Sequence, residues 1–363
     1  MRIKIAHITY SYFPIKGGAD VYLDNLFKLL KEEGYEQEIF QKWGRNLPPH
    51  IHSYPPLPKI RGHDFWLVPF CLSLLSPLIA KYNLLFIHYS PYFLPLKWHK
   101  RTIVISHGVT WDDYPKSRAG KIKKWLAKFA FEKSTSFVAN DSFFLREMGI
   151  NISPGKKMFS QVLPSRWLIP NCVDTSLFSP SEEEGTDIIV PRNLYFSRGV
   201  HLAIDAFKNI RKDLPSSRLL IIGGVGDPDY ALRLYRKVRE LELEDRVYFL
   251  GHIKWEKMRE IYGKAGICLI PSLFGEGTSL SALEAMASGV ATISTPTGGL
   301  ADLPTIKCQP NPDSLAEKIL EVYPKRKEIG RWQREEVSLN FSLNLWRQAW
   351  LTVVKSTLKE GGE

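Results

Sequence analysis

Short apolar runs alternate with amphipathic stretches along most of the chain. Apolar runs bounded by turn residues predict buried strands, and apolar residues three and four apart predict helices packed on one face. Strands are predicted at 3–10, 84–88, 102–106, 136–140, 188–190, 218–222, 246–250, 267–270 and 290–294, and helices at 21–33, 65–80, 119–131, 200–214, 254–265 and 338–358. This alternation predicts an α/β protein built on parallel sheets.

The strongest pattern is a strand, a glycine-containing loop, a helix and a second strand between residues 267 and 300. Pro271 ends the first strand of this unit. Thr278 or Ser279 can cap the helix, and Gly289 occupies the position of a left-handed helix stop. Units of this kind bind ligands beyond the carboxyl ends of their strands.

The start of this helix is suited to a phosphate, because its first amides are unpaired and its dipole is positive there. Glu276 precedes the helix, and Glu284 lies ~8 Å along its axis at the usual rise of about 1.5 Å per residue. This spacing suits a ligand with a phosphate at the helix end and sugar hydroxyls further along. Alternatively, both glutamates are solvated, but Glu284 has mostly apolar neighbours: Leu280, Leu283, Ala285 and Met286.

Glu276-x7-Glu284 followed by Ala-Met-Ala-Ser-Gly resembles the signature of the family 4 retaining glycosyltransferases. The resemblance covers nearly the whole chain. It implies a GT-B fold: two doubly wound, Rossmann-like α/β domains that face each other across a cleft. The implied divisions are an acceptor-binding domain at 1–168, a nucleotide-sugar-binding domain at 169–342, and a C-terminal helix at 343–363 that crosses back to the first domain.

The implied reaction transfers a sugar, with retention of anomeric configuration, from a nucleoside-diphosphate sugar to a glycan or lipid-linked acceptor. The resemblance implies no cofactor and no metal. Glu284 would accept hydrogen bonds from ribose hydroxyls and Glu276 from sugar hydroxyls. Alternatives are a sugar-nucleotide epimerase or hydrolase of the same fold, and a nucleic-acid-binding protein, for which no RNP-like or helix-turn-helix context is present.

Arg192 and Arg198 flank a loop between a predicted strand and a predicted helix. Two guanidinium groups from one loop can bind a diphosphate in bidentate fashion, whereas the alternative is a pair of solvated arginines. The family pattern has glycine and lysine where this chain has Pro191 and Arg198. A further departure is Cys172, which replaces a glycine in the segment that resembles the interdomain link.

His107 follows a predicted strand, and the carboxyl end of such a strand faces the ligand crevice. The resemblance places His107 on the acceptor side of the donor sugar. Gly17 and Gly18 lie between the first strand and helix, and the resemblance places them beside the donor diphosphate. The alternatives are a turn histidine and a tight glycine turn.

The resemblance thus implies four catalytic residues: His107, Arg192, Arg198 and Glu276. The implied donor-binding residues, with backbone of the 251–253 loop near the base, are Gly17, Gly18, Arg192, Arg198, Gly251, His252, Ile253, Glu276, Gly277, Thr278, Ser279, Leu280 and Glu284.

Three features exclude simpler site classes. Four scattered cysteines show neither disulfide-framework nor zinc-site spacing, so we expect reduced thiols. Asp227-Pro-Asp229 resembles a metal-binding DxD, but a Gly-Asp-Pro turn explains it. The glycines at 223–226 do not have the spacing of a dinucleotide-binding fingerprint.

The net charge of +11 is unevenly distributed. Residues 1–170 hold 24 Lys and Arg against 12 Asp and Glu, which gives +12, and the remainder gives −1. This asymmetry predicts an anionic partner for the first half: a membrane surface, a nucleic acid or an acidic glycan. We expect a cytoplasmic protein, attached peripherally to the inner face of a membrane.

The segment 119–131 is a predicted basic amphipathic helix. Its apolar stripe, Ile122, Trp125, Leu126 and Phe129, favours core packing, and membrane contact is the alternative. The uncharged stretch 65–80 is short of the ~20 residues that a spanning helix needs, so we interpret it as a helix packed on the sheet.

Overall fold

The structure is a computed structural model that describes residues 3–15, 17–42, 44, 46–54, 64–111, 117–181 and 185–360, without the side chains of 64–67 and 70. The chain divides into two compact units. Unit 1 comprises residues 1–170 and 346–363, and unit 2 comprises residues 171–345. The divisions that the family resemblance implies differ from these limits by two and three residues.

Unit 1 alternates strands with helices. Its strands are β1 (Lys4–Ile8), β2 (Glu36–Gln41), β3 (Ile51–Ser53), β4 (Leu84–Ile87), β5 (Thr102–Ser106), β6 (Ser136–Ala139), β7 (Ser160–Leu163) and β8 (Arg166–Leu168). Its helices are α1 (Gly18–Glu32), α2 (Asp64–Ile79), α3 (Arg118–Lys133) and α4 (Ser142–Glu147), with a 3-10 helix at Ser90–Leu96.

The described strands of unit 1 form one sheet in the order β3-β2-β1-β4-β5-β6-β8-β7. All neighbouring pairs are parallel except β7 with β8. The central strands β4, β5 and β6 are buried along their whole length, as expected for a parallel sheet covered on both faces.

Unit 2 contains β9 (Asp187–Val190), β10 (Leu219–Ile222), β11 (Val247–Gly251), β12 (Ala265–Ile270), β13 (Ala291–Ser294) and β14 (Ile306–Lys307). Its helices are α5 (Val200–Ile210), α6 (Pro228–Glu240), α7 (Trp255–Gly263), α8 (Leu280–Ala287), α9 (Pro312–Val322) and α10 (Arg326–Asn340), with 3-10 helices at Phe196–Arg198, Gly298–Asp302 and Tyr323–Lys325.

The described strands of unit 2 form a parallel sheet in the order β11-β10-β9-β12-β13-β14. From β9 the chain adds β10 and β11 on one side of the sheet, and it then returns to add β12 on the other side of β9. Such a switch point is where ligands bind in doubly wound folds. The loops that follow β9 and β12 therefore meet at one edge of the sheet.

The last helix, α11 (Leu343–Glu360), belongs to unit 1 from Trp346 onward. Trp350 is buried and donates through Nε1 to the Tyr22 hydroxyl at 3.0 Å. Thr357 is hydrogen-bonded to Ser136 at 2.7 Å. The return of the C-terminal helix to the first domain, implied by the family resemblance, is therefore confirmed.

Two predictions about helices are wrong. The single helix expected at 338–358 is two helices, α10 and α11, because Val173 pairs with the backbone of Phe341 and Leu343 where they meet. In α3 the stripe expected in the core is only partly buried: Ile122 and Trp125 are 46% and 57% exposed. The helix instead buries Leu126, Ala127, Ala130 and Phe131.

Candidate functional site

The loops after β9 and β12 bring together three charged side chains. One carboxylate oxygen of Glu276, Oε2, forms ion pairs with Arg192 and Arg198. The hydroxyl of Ser272 donates to the same oxygen at 2.9 Å and accepts from Arg192 at 2.9 Å. Arg198 also donates to the carbonyl of Gly275 at 3.1 Å. The two arginines predicted to share a ligand therefore lie at one carboxylate.

Arg192 is the more deeply buried of the two arginines. It is 8% exposed, and its remaining contact is with the Ser279 hydroxyl at 3.3 Å. Burial lowers the pKa of its guanidinium, and the charge of Glu276 opposes that shift. Its buried Nε has no partner among the described residues. Two guanidinium groups against one carboxylate leave this cluster with excess positive charge.

Two glycines let the neighbouring loop approach Glu276 closely. Gly298 has a φ of +54°, and a Cβ there would lie 2.0 Å from the carbonyl oxygen of Glu276. The amide of Gly299 donates to that same oxygen at 2.9 Å. A Cβ on Gly299 would lie 2.4 Å from the carbonyl carbon of Gly277. The 297–299 segment thus fixes the backbone of the loop before α8.

The first residues of α8 are held from two sides. Ser279 is the N-cap, and its hydroxyl accepts from the amide of Ala282 at 3.4 Å. The hydroxyl of Thr278 accepts from the amide of Asn171 at 2.8 Å. Gly289, with a φ of +74°, ends the helix as predicted. Of the two predicted caps, Ser279 is therefore the one that the helix uses.

Glu284 lies within α8 and is 8% exposed. Its Oε1 accepts from Trp255 Nε1 at 2.8 Å, and its Oε2 accepts from the Tyr262 hydroxyl at 3.1 Å. Burial raises the pKa of Glu284 to about 7, against the effect of these two hydrogen bonds. Glu284 is therefore a buried, oriented carboxylate, and the solvated alternative is wrong.

The predicted base-contacting loop begins at the last residue of β11. Gly251 has a φ of +68°, and the amide of Gly223 donates to its carbonyl at 2.9 Å. His252 is exposed and Ile253 is partly buried. The glycine turn after β10 packs closely, since a Cβ on Gly223 would lie 2.3 Å from the carbonyl oxygen of Arg192. This turn therefore supports the arginine loop.

His107 lies in unit 1, directly after β5, as predicted. Its ring is 5.8 Å from that of His88 at an interplanar angle of 10°, and it meets the Tyr22 ring edge-on at 5.1 Å. His88 is hydrogen-bonded through Nε2 to Nδ1 of His7 at 3.2 Å. Burial lowers the pKa of His107 to about 4. Its Nε2 is buried and has no partner among the described residues.

The glycine pair of unit 1 lies where α1 begins. Gly17 is the N-cap and Gly18 the first helical residue, three residues earlier than the predicted start. The amide of Gly17 donates to the Asp20 carboxylate at 3.1 Å. The proposed contact of both glycines with a diphosphate stays a prediction.

Sequence reasoning missed the residues that hold the charged groups in place. Ser272 joins Arg192 to Glu276, and its carbonyl accepts from the Thr295 and Thr297 hydroxyls at 2.5 and 3.0 Å. Small hydroxyl side chains do not follow the apolar periodicity that predicts helices and strands. The position of Ser272, directly after Pro271 at the end of a predicted strand, could have identified it as a site residue. Trp255 and Tyr262 were also missed.

No cluster of three or more potential metal ligands exists among the residues that the structure describes. Asp227 is the N-cap of α6, where its Oδ1 accepts from the amides of Asp229 and Tyr230 at 3.0 and 3.1 Å. The DxD-like pair is thus explained by helix capping. All four cysteines are buried and free.

Comparison with known proteins identifies the family. The Glycosyltransferase Family 4 model matches residues 16–156, and the Glycosyl transferases group 1 model matches residues 176–335. The chain belongs to the group 1, family 4 glycosyltransferases.

Individual curated proteins are similar in sequence to parts of this chain. A phosphatidylinositol N-acetylglucosaminyltransferase from Arabidopsis thaliana is 30% identical over 187 residues, which cover 46% of this chain and 41% of that protein. The chain thus matches less than half the length of the first curated relatives.

Solved structures establish the fold over the full chain. Sucrose-phosphate synthase from Thermosynechococcus elongatus superposes with a TM-score of 0.82 at 21% identity, covering 99% of this chain and 100% of that one. HepE of Anabaena in complex with UDP-glucose gives a TM-score of 0.76 at 16% identity, covering 98% and 100%. Both units are Rossmann-like α/β domains of the GT-B class, as predicted.

Proposed function

We propose that this protein is a retaining glycosyltransferase that uses a nucleoside-diphosphate sugar. The observation that carries the proposal is the cluster of Arg192, Arg198 and Glu276 beside the N-terminus of α8. Its excess positive charge and the adjacent helix dipole suit a diphosphate. The relative HepE was solved with UDP-glucose, which supports the same ligand class.

The chemistry requires stabilisation of a departing diphosphate and of an oxocarbenium-like sugar. In the proposed mechanism the guanidiniums of Arg192 and Arg198 and the amides at residues 278–280 neutralise the leaving group. The hydrogen bonds described above for the Glu276 carboxylate reach Oε2, and we assign Oε1 to the sugar hydroxyls. The attacking acceptor hydroxyl approaches the face that the diphosphate leaves, and its proton passes to an oxygen of the departing diphosphate. The sugar thereby keeps its anomeric configuration without a covalent carboxylate intermediate.

His107 is proposed to contact the acceptor side of the donor sugar. Because burial lowers its pKa to about 4, its imidazole is neutral at neutral pH and can exchange hydrogen bonds with hydroxyls. Gly17 and Gly18 are proposed to contact the diphosphate through their backbone. Replacement of His107 by alanine then lowers turnover and leaves nucleotide affinity in place.

Metal independence is part of the proposal. Arginines and helix amides supply the positive charge that Mn²⁺ supplies in other transferases. Activity is therefore expected to survive EDTA. Loss of activity that Mg²⁺ or Mn²⁺ restores would contradict this part and would return Asp227 and Asp229 to consideration as ligands.

The proposed acceptor is a glycan or a lipid-linked glycan at an anionic membrane surface. Helices α2 and α3 both pack against the 3-10 helix at 90–96. Exposed apolar side chains lie on or beside these elements: Leu74 and Leu78 on α2, Trp98 after the 3-10 helix, and Ile122 and Trp125 on α3. Lys121 and Lys128 are exposed near them. No helix in the described parts of the chain has the length and apolar character needed to cross a bilayer.

A panel of nucleotide sugars tests the central proposal. The purified chain is incubated with UDP-glucose, UDP-N-acetylglucosamine, GDP-mannose and ADP-glucose, and slow hydrolysis is followed together with the anomeric configuration of the released sugar. Arg192→Ala and Arg198→Ala should weaken binding of the nucleoside diphosphate and leave that of the nucleoside unchanged.

Arg218→Ala is the matched control for these variants. Arg218 also pairs with a buried carboxylate, that of Asp187 at 2.6 Å, but at the amino ends of β9 and β10. Equal losses for diphosphate and nucleoside would contradict the arginine assignment. An isomerised nucleotide sugar as the product would favour the epimerase alternative.

A further inference from the structure

Glu284 is held by two aromatic residues of α7, the helix that follows the predicted base-contacting loop. Trp255 is the first residue of α7, three positions after His252, and Tyr262 lies two turns further on. Their hydrogen bonds reach different oxygens of the carboxylate, at 2.8 and 3.1 Å. The plane of the carboxylate is therefore fixed by both bonds together.

The two aromatic residues are themselves held by one buried ring. Phe178 is 1% exposed and packs edge-on against Trp255 at 5.5 Å and against Tyr262 at 6.0 Å. Tyr262 is also 1% exposed, and its hydroxyl lies 3.4 Å from the carbonyl of Ser281. The donors that face Glu284 thus have little freedom to turn away.

A carboxylate oxygen can accept two hydrogen bonds. With one bond on each oxygen taken by Trp255 and Tyr262, one lone-pair direction remains on each. Two adjacent hydroxyls are the matching donor pair, and in a nucleotide these are the 2′- and 3′-hydroxyls of ribose. This step rests on the proposed function, because it takes a nucleotide as the ligand.

We propose that Trp255 and Tyr262 are positioning residues that orient the Glu284 carboxylate for two adjacent ribose hydroxyls. Through Glu284 they set the preference of the site for ribonucleotides over deoxyribonucleotides. Neither residue touches the nucleotide in this role, so each acts on affinity only when the ligand carries the hydroxyls.

Trp255→Phe and Tyr262→Phe test the proposal, since each removes one donor and keeps the ring beside Phe178. Affinities for UDP, GDP and ADP and for their 2′-deoxy and 3′-deoxy forms are measured by titration calorimetry. The parent should prefer the ribonucleotide. Each variant should lose about tenfold in affinity for it, because a misoriented Glu284 carboxylate loses about one charged hydrogen bond to the ribose, and should lose little for the deoxy forms.

Matched controls come from the same unit. Trp332 is 44% exposed, like Trp255 at 43%, but lies on α10, and Trp332→Phe should leave all affinities unchanged. Tyr323→Phe removes a hydroxyl that is hydrogen-bonded to Ser217 at 3.0 Å, away from Glu284. Thermal unfolding of each variant confirms that it is folded.

The outcomes separate this inference from the proposed function. Equal losses for ribose and deoxyribose ligands in Trp255→Phe and Tyr262→Phe would overturn the positioning role while nucleotide binding stands. A parent protein that binds none of the three nucleoside diphosphates would overturn the proposed function and this inference with it.

Discussion

Among single residues, Glu276 and Glu284 are equally buried but have partners of different charge. Glu276 is paired with two guanidiniums, whereas Glu284 is contacted by the neutral donors of Trp255 and Tyr262. A buried carboxylate without a cationic partner is destabilised in its charged form. Burial raises the pKa of Glu284 to about 7, so this carboxylate changes protonation near neutral pH.

Glu284→Gln should stabilise the protein at high pH. Burial raises the pKa of Glu284 from 4.5 to about 7, so the folded state binds this proton more tightly than the unfolded state. Stability therefore falls as pH rises from 4.5 to 7, by at most about 3 kcal/mol. The variant should unfold at a higher temperature than the parent at pH 8 and at a similar one at pH 4.5.

The control is Glu244→Gln, because Glu244 is exposed in the same unit. It should leave the thermal midpoint unchanged at both pH values. A Glu284→Gln variant that is less stable than the parent at pH 8 would contradict the burial argument.

Arg192→Ala should destabilise unit 2 more than Arg198→Ala. The side chain of Arg192 is 8% exposed and that of Arg198 is 28% exposed, although both pair with Glu276. Removal of a buried partner costs about 3 kcal/mol, whereas a more exposed one contributes up to about 1 kcal/mol. Urea unfolding monitored by circular dichroism measures both, and equal losses would refute the ranking.

At the scale of elements, the site depends on loops that pack against each other at strand ends. β9 and β12 are neighbours in the sheet, so the loop that carries Arg192 lies beside the loop that carries Glu276. Gly298 allows the third loop, after β13, to approach the second. In unit 1, His7, His88 and His107 meet because β1, β4 and β5 are adjacent.

Gly298→Ala should displace the loop before α8 and weaken nucleotide binding. Its φ is +54°, and the added Cβ would lie 2.0 Å from the carbonyl oxygen of Glu276. Gly34→Ala is the matched control, with a φ of +82° and nothing within 4 Å of the added Cβ. Both variants carry the cost of about 1 kcal/mol for a left-handed alanine, and calorimetry should show lost affinity only for Gly298→Ala.

The three histidines should make unit 1 sensitive to acid. Burial lowers the pKa of His7 and His107 from 6.5 to about 4, and that of His88 further. The unfolded state therefore takes up protons first, and stability is lost as pH falls from 6.5 towards 4. The groups that face His88 are His7, Phe86 and His107.

His88→Gln should reduce this acid sensitivity, because one buried imidazole with a lowered pKa is removed. Thermal midpoints between pH 4 and pH 7 measure the effect. His252→Gln replaces an exposed histidine of unit 2 and should retain the parent's pH dependence. An unchanged slope in His88→Gln would show that another group controls acid unfolding.

At the scale of the whole molecule, charge divides the chain into a basic and a nearly neutral part. Residues 1–170 carry a net charge of +12 and the remainder −1. Some of the lysines on α3 are paired, Lys124 with Glu147 at 2.8 Å and Lys128 with Glu132 at 3.9 Å. An anionic membrane is attracted by the net charge that remains after such pairing.

Co-sedimentation with vesicles measures this attraction. The protein should bind phosphatidylglycerol-containing vesicles at low salt and be released by high salt, because screening acts beyond ~10 Å at 0.1 M. Each lysine contributes about 1 kcal/mol, so Lys121→Gln should weaken binding about fivefold. Lys208→Gln with Lys212→Gln, in unit 2, should not. Absence of binding at low salt would favour a soluble acceptor.

Features that depend on near neighbours could be predicted from the amino-acid sequence. Alternating apolar runs and amphipathic stretches gave the α/β class, and the serine and glycine that flank α8 act as cap and stop at the predicted positions. These features could be predicted because helix hydrogen bonds and capping act within one turn of the chain. The Glu276-x7-Glu284 spacing is local in the same sense.

Which groups meet in the site depends on contacts between distant parts of the chain. Arg192 reaches Glu276 across 84 residues, and Trp255 reaches Glu284 across 29. The exposure of Trp125 and the break between α10 and α11 also depend on distant neighbours. These contacts follow from the order of strands in the sheet, where β12 lies between β13 and β9 and does not pair with β11, the strand before it in sequence. Sequence periodicity shows which face of an element is buried, but the contacts across that face are set by the sheet.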